Sequence, residues 1–304
     1  MPIFKNRIRD SAQDKIMYLV FNTILLLFTF CVLYPCIYVV SASFSSSVAV
    51  TSGRVYLWPV NFSLAGYEMI FSHKYIMMSY RNTLFYAVAG TLINLLLTVA
   101  AAYPLTRKEL PFRNFIMVIY VITMFFSGGL VPTYLLMNSL GLTNTIWIMI
   151  LPTFSVYNMI LMRTYFFSIP GELFEASEID GCNYWQYLVR ILLPLSKSVL
   201  AVITLFYAVG HWNSYFGALI YLRDRELYPL QLILREILNM AAAAIKLSDM
   251  GTQTMRAEEL IKMQGMVDLL RYSLIVVATA PILALYPFIQ KYFVTGIMLG
   301  SIKG

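Results

Sequence analysis

The chain has 304 residues, of which 60% are hydrophobic and 12% charged; an average soluble domain is roughly 25% charged, so water is excluded as its main solvent. About six membrane spans of roughly 20 residues each fit this length with short connections. The formal charge of +7 comes from 22 Lys and Arg residues scattered between apolar blocks, a pattern that argues against a nucleic-acid partner, which would need a basic stripe.

In chain order, Lys5, Arg7, Arg9 and Lys15 precede an apolar stretch over 16–44. It is too long for a cleaved signal core and lacks a small-residue cleavage site, so it reads as a retained span. Further apolar runs cover 82–106, 115–137, 145–167, 198–222 and 272–290, and with 16–42 they make six candidate spans. None contains Asp, Glu or Lys, and Arg163 lies near a boundary. The runs are continuous rather than alternating, which predicts an all-α membrane protein with six transmembrane helices and not a barrel.

Basic residues at the span ends set the expected orientation. The amino-terminal tail and the connection holding Arg107, Lys108 and Arg113 are basic, whereas 138–144 holds no Lys or Arg. Both termini are therefore expected in the cytoplasm, with the connection at 168–197 inside and the long segments 43–81 and 223–271 outside. Cys31 and Cys36 lie within the first run and Cys182 in an inside connection, which suggests neither a disulfide framework nor a metal site.

Pro104, Pro132, Pro152, Pro281 and Pro287 punctuate the runs, and Gly128-Gly129 interrupts the third. Such breaks are tolerated where protein covers the backbone or where it lines a cavity. Ordinary kinks and a translocation path both satisfy that condition, and Gly128-Gly129 is the best candidate for the path.

The connection at 168–197 is too acidic and too long for a turn. Pro170 suits a helix start, Glu172 and Glu175 favour its dipole, and Gly181 suits a left-handed stop. A second helix then starts at Asn183, with Gln186 placed to complete a capping box. The pair forms a compact knob in which Glu175 is exposed and Ala176 and Ser177 permit close approach.

Here the residues resemble a known signature. Glu175-Ala176-Ser177, three residues including Asp180, Gly181, nine residues, Ile191, one residue and Leu193-Pro194 match the Glu-Ala-Ala motif of permeases in ATP-binding-cassette importers, with Ser177 in place of the third-position Ala. The resemblance implies that the knob is the coupling helix seated in a cleft of a separate ATPase. Nothing in the chain has the form of a Gly-rich phosphate loop, so ATP and Mg belong on that partner and this chain itself is not an enzyme.

The carboxyl-terminal tail, 291–304, is similar to that of the shorter permease in maltose-type carbohydrate importers, where it extends toward the ATPase dimer interface. By that resemblance Gly296, Gly300, Lys303 and Gly304 do likewise. The likeness extends over nearly the whole chain, including Arg81-Asn82-Thr83 and Trp212-Asn213, and the segment Tyr228-Pro229-Leu230-Gln231-Leu232 resembles the branch that imports complex oligosaccharides from plant or microbial polysaccharides. It implies a second permease subunit, two ATPase subunits and an extracytoplasmic, lipoprotein-type solute-binding protein.

Saccharides are held by aromatic faces and neutral hydrogen-bonding groups. Tyr134, Asn138, Asn158, Trp212, Asn213 and Tyr215 supply both, although Tyr and Trp also mark membrane interfaces. His211, a lone imidazole in a span, reads as a packing or polar-contact group. The segment 223–271 has helical amphipathic spacing over Leu232, Ile233, Arg235, Glu236, Ile237 and Leu238, compatible with lying on the membrane surface or meeting the binding protein. An importer of amino acids or phosphonates is the alternative. An ion-coupled transporter lacks support, because such coupling uses ionisable groups within spans.

Overall fold

The structure, a computed structural model, describes residues 11–251 and 257–300, and every regular element among them is a helix. Helix α1 (Ala12–Ser43) opens on a capping box in which Ser11 Oγ accepts the Asp14 N–H and the Asp14 carboxylate accepts the Ser11 N–H. Its side chains from Ile16 through Leu33 are exposed, uncovered by the other described residues of this chain. Short helices α2 (Ser47–Thr51) and α3 (Ala65–Phe71) follow.

Helix α4 (Ile76–Ala102) buries Ser79, Asn82, Thr83, Tyr86, Gly90, Thr91, Asn94 and Thr98. These small and polar residues recur at three- and four-residue intervals and so form one face of the helix. In lipid, apolar side chains give neighbouring helices little reason to associate, and small or hydrogen-bonding faces take over that role. Helix α11 (Lys197–Trp212) lies against α4, with Tyr207 and Thr98 sharing a hydroxyl hydrogen bond of 2.7 Å.

The third apolar run folds as α5 (Arg113–Phe125) and α6 (Leu130–Ser139), bent by 114°. Gly129 sits at the break with φ +82°, a left-handed value that suits glycine. The fourth run starts as two 3₁₀ turns, Ile146–Met149 and Leu151–Thr153, before α7 (Val156–Ser168), with a bend of 45°. Pro152 has non-helical dihedrals, as expected where proline removes a backbone donor. Helices α8 (Glu172–Ile179) and α9 (Tyr184–Tyr187) come next, then a π-helical turn over Leu188–Leu192 and the single turn α10 (Leu193–Leu195).

One expectation from sequence changes here. The run 198–222 is not one helix: α11 stops at Trp212, where Ser214 Oγ donates to the His211 carbonyl, and α12 (Phe216–Tyr221) is separate. The segment 223–271, which has helical amphipathic spacing in its sequence, is largely helical. Helix α13 (Leu230–Gly251) occupies much of it, and α14 (Ala257–Gly300) begins well before the apolar run at 272. Polar residues on a long amphipathic helix lower its average hydropathy, so the apolar run marks only part of each helix.

Among the described residues, three helical segments are long and apolar enough to cross a membrane unbroken, Gln13–Ser43, Ile76–Thr106 and Met263–Pro287. Three bent pairs raise the number among the described residues to six if each pair is one span: the two above, and Tyr184–Leu195 with Lys197–Trp212, bent by 83°.

The chain divides into two compact units, Met1–Ile70 with Met240–Val277, and Phe71–Asn239 with Ala278–Gly304. In the first, Ala42, Ala49, Val50, Val55 and Leu269 form the core, and Gly66 and Gly265 let α14 pass close to α3 and α2, since a Cβ on either would overlap Ser273 or Thr51. The second unit has one core around Met159, Met162, Tyr187, Leu192 and Ile203 and another around Tyr86, Ile148, Ile150 and Ala218.

Candidate functional site

The signature residues gather on one corner of the second unit. Gly171 caps α8, whose first turn carries Glu172 and Glu175, where carboxylates oppose the positive end of the helix dipole. Glu175, Ala176 and Asp180 are exposed, and Ile179 is 88% exposed. Ser177 is buried, and its Oγ donates to the Phe174 carbonyl at 2.7 Å. A serine thus fits where the motif usually has alanine, because its hydroxyl is satisfied by the turn that precedes it.

Gly181 follows with φ +78°, and Asn183 and Gln186 form a reciprocal capping box with bonds of 2.9 and 2.8 Å. Ile191 lies in the π-helical turn, while Leu193 and Pro194 form the α10 turn after it. π-turns occur mostly as single-turn insertions and are frequent at functional sites. The motif therefore encodes a bent path from the exposed α8 back to α11.

What holds α8 to the rest of this unit was not visible in the motif. Arg107, just past the 3₁₀ turn Pro104–Thr106 that ends α4, places its guanidinium 3.9 Å from the Phe174 ring centre, 4.7 Å from Tyr103, 4.9 Å from Tyr187 and 5.8 Å from Tyr184. Its Nη2 donates to the Tyr103 hydroxyl at 3.0 Å, and that hydroxyl donates to the Tyr184 carbonyl at 2.9 Å. Phe174 stacks on Tyr184 and meets Tyr187 edge-on. A groove of about 450 Å³ beside this cluster is lined by Lys108, Glu109, Glu175 and Glu178 among others. The sequence signal available for Arg107 was its charge, read only as a marker of orientation.

The residues expected along a substrate path are dispersed. Gly128 and Gly129 are exposed at the α5–α6 break. Tyr134 on α6 stacks on Tyr221 at 5.8 Å, while Asn158 is buried on α7. Trp212 is buried, and its Nε1 donates to the Ala278 carbonyl at 2.8 Å. Asn213 is exposed just beyond α11, and Asn138 is exposed on α6. Tyr215 lies under the Arg235 guanidinium at 4.7 Å.

His211 is enclosed in the bundle, with Nε2 2.9 Å from Asn94 Nδ2 and 3.4 Å from Thr153 Oγ1. It is thus a polar contact between α4 and α11. Asn82 and Thr83 are structural as well: Asn82 Nδ2 donates to the carbonyls of Glu226 and Tyr228, and Thr83 Oγ1 accepts the Leu230 N–H. Of the tail, α14 runs through Gly300 and so includes Gly296; Lys303 and Gly304 lie outside the described residues. Among the described residues no group of three or more His, Cys, Asp or Glu side chains could hold a metal.

Long apolar helices, several of them bent, joined by buried polar faces are the build of a multi-pass membrane protein. No protein-family model matches the chain. It is 40% identical over 302 residues to the polygalacturonan/rhamnogalacturonan transport system permease protein YtcP of Bacillus subtilis (strain 168), covering 99% of this chain and all of that one. It is 38% identical over 271 residues to Protein LplC of the same organism, covering 89% of each. Among solved structures, a bacterial ABC transporter involved in the import of the acidic polysaccharide alginate has a chain that superposes with a TM-score of 0.78 at 35% identity, covering 93% of this chain and 99% of that one. The chain belongs to the family of sugar permease subunits of ABC importers, a non-catalytic membrane component of the bacterial cell.

Proposed function

We propose that this chain forms half of the translocation path of an importer for oligosaccharides released from plant or microbial polysaccharides. The observation that carries the reading is its end-to-end similarity to YtcP, joined by the likeness to the alginate importer. The first is named for polygalacturonan and rhamnogalacturonan transport and the second for import of an acidic polysaccharide, so acidic fragments are the first substrates to test.

In this reading both termini are cytoplasmic, and 168–197 forms the cytoplasmic connection between spans. A second, homologous permease completes the path, and the exposed face of α1 supports such a neighbour. Two ATPase subunits bind ATP and Mg. Helix α8 seats in one of them, with the exposed Glu175 and Ala176 at the contact while Ser177 stays buried within this chain, and the tail beyond Gly296 reaches toward their dimer. An extracytoplasmic solute-binding protein delivers the sugar.

Closure of the ATPase pair on ATP displaces α8. The bent α9–α10–α11 connection carries that displacement to the spans and turns the cavity outward. Hydrolysis turns it inward again. Candidate substrate contacts are Tyr134, Asn213 and Tyr215 with the Gly128-Gly129 backbone, while Asn158 is buried on α7 and the indole N–H of Trp212 is already engaged.

The test is uptake of labelled trigalacturonate, an unsaturated alginate trisaccharide, maltotriose, an amino acid and a phosphonate by cells with and without this chain. Loss of oligosaccharide uptake alone, insensitive to collapse of the proton gradient, is expected. Loss of only amino-acid or phosphonate uptake overturns the substrate assignment.

A further inference from the structure

We propose that Arg107 is a positioning residue that fastens α8 to the end of α4, so that the two segments move as one body when the ATPase drives α8. The inference rests on the reading of α8 as the coupling helix. The motif explains how α8 is presented and how the chain continues covalently through α9 and α10 to α11. It offers no link to α4. Arg107 supplies one.

The geometry is specific. The four rings about the guanidinium come from three segments: Tyr103 from the end of α4, Phe174 from α8, and Tyr184 and Tyr187 from α9. A guanidinium is attracted to the negative faces of aromatic rings, more strongly when water is excluded. Here Tyr103 and Tyr187 are buried, and Arg107 Nε is itself enclosed without a hydrogen-bond partner. Among the described residues no carboxylate lies within ion-pair distance of Arg107, although Glu175 and Glu178 line the adjoining groove. The rings and the Tyr103 hydroxyl hold this cation.

The choice of arginine follows from what the corner must do. A planar guanidinium stacks and donates in fixed directions at once, whereas lysine acts as a mobile point charge. The hydrogen bond to Tyr103, relayed to the Tyr184 carbonyl, links α4 to α9 through one phenol. Stacking on Phe174 adds α8. Push on α8 therefore reaches both α4 and α11, the two helices that pack along each other in this unit.

The test uses the assembled importer, purified through a tag on this chain, with Cys31, Cys36 and Cys182 replaced by serine and spin labels at Ile179 on α8 and Leu96 on α4, both exposed. Distances are measured without nucleotide and after trapping with ATP and vanadate. With Arg107 present the label distance is expected to stay constant on trapping. In Arg107→Gln, and in Phe174→Leu as a second variant that keeps an apolar side chain at the site, the distribution is expected to broaden and shift on trapping while the ATPase still co-purifies, with uptake reduced about tenfold. Arg107→Lys is expected to be intermediate.

Unchanged distances in both Arg107→Gln and Phe174→Leu, or a shift in the parent itself, overturn the inference while leaving the coupling role of α8 intact. Failure of the parent to co-purify an ATPase overturns both.

Discussion

Asn144 and Asp224 fasten two distant segments of the chain: Asn144 Nδ2 donates to Asp224 Oδ2 at 2.8 Å, while Asn144 Oδ1 accepts the backbone N–H groups of Arg223 and Asp224 at 2.9 Å each. The Asn144 N–H also donates to the Tyr221 carbonyl, and its φ of 56° is a conformation that asparagine tolerates better than most residues. This clasp sets the turn after α6 against the turn after α12. Asn144→Ala is expected to lower stability by about 1–3 kcal/mol through the lost bonds and the left-handed strain, read as a lower melting temperature in detergent. Asn144→Gly keeps the backbone freely accessible and loses only the side-chain bonds, so it should fall between the two.

Gly90 faces the His211 imidazole so closely that a Cβ there would overlap the ring. Gly90→Ala should force α4 and α11 apart at a cost of about 1–3 kcal/mol. Gly210, one residue before His211, has open space about it, and Gly210→Ala should be neutral or stabilising by up to about 1 kcal/mol. The opposite signs of the two alanine variants, compared by thermal unfolding, check the close crossing. Equal responses would contradict it.

Gly181 joins α8 to α9 with φ +78° and nothing near its missing side chain. The constraint there is therefore conformational and not steric. Gly181→Val should cost about 1–2 kcal/mol and misdirect α8, reducing uptake, whereas Gly181→Asn should retain most of it. Parallel uptake assays with membrane levels measured by immunoblot separate these outcomes.

Glu175 is exposed in the first turn of α8. Glu175→Lys replaces a favourable charge at the helix start with an unfavourable one and alters the proposed ATPase contact. The variant should remain in the membrane but lose ATPase co-purification and uptake. Normal levels of both would remove α8 from the coupling role.

Continuous apolar runs revealed the membrane class, because lipid requires backbone groups to be satisfied within a segment. Short-range chemistry was legible as well. Gly181 occupies the left-handed position expected of it, Asn183 and Gln186 close the expected box, and the third run breaks at the glycine pair. These features depend on residues within a few positions of one another. The helical extent of 223–271 was blurred because its amphipathic residues dilute the apolar signal.

By itself, the sequence determined the medium, the helical class and the Glu175 to Pro194 signature, all of which rest on composition or local spacing. Tertiary structure alone decided that Arg107 sits among rings from three segments, that Asn94 meets His211 117 positions away along the chain, and that Asn144 clasps Asp224. Each contact depends on where a fold returns the chain, and a single sequence records the two partners without recording that they meet.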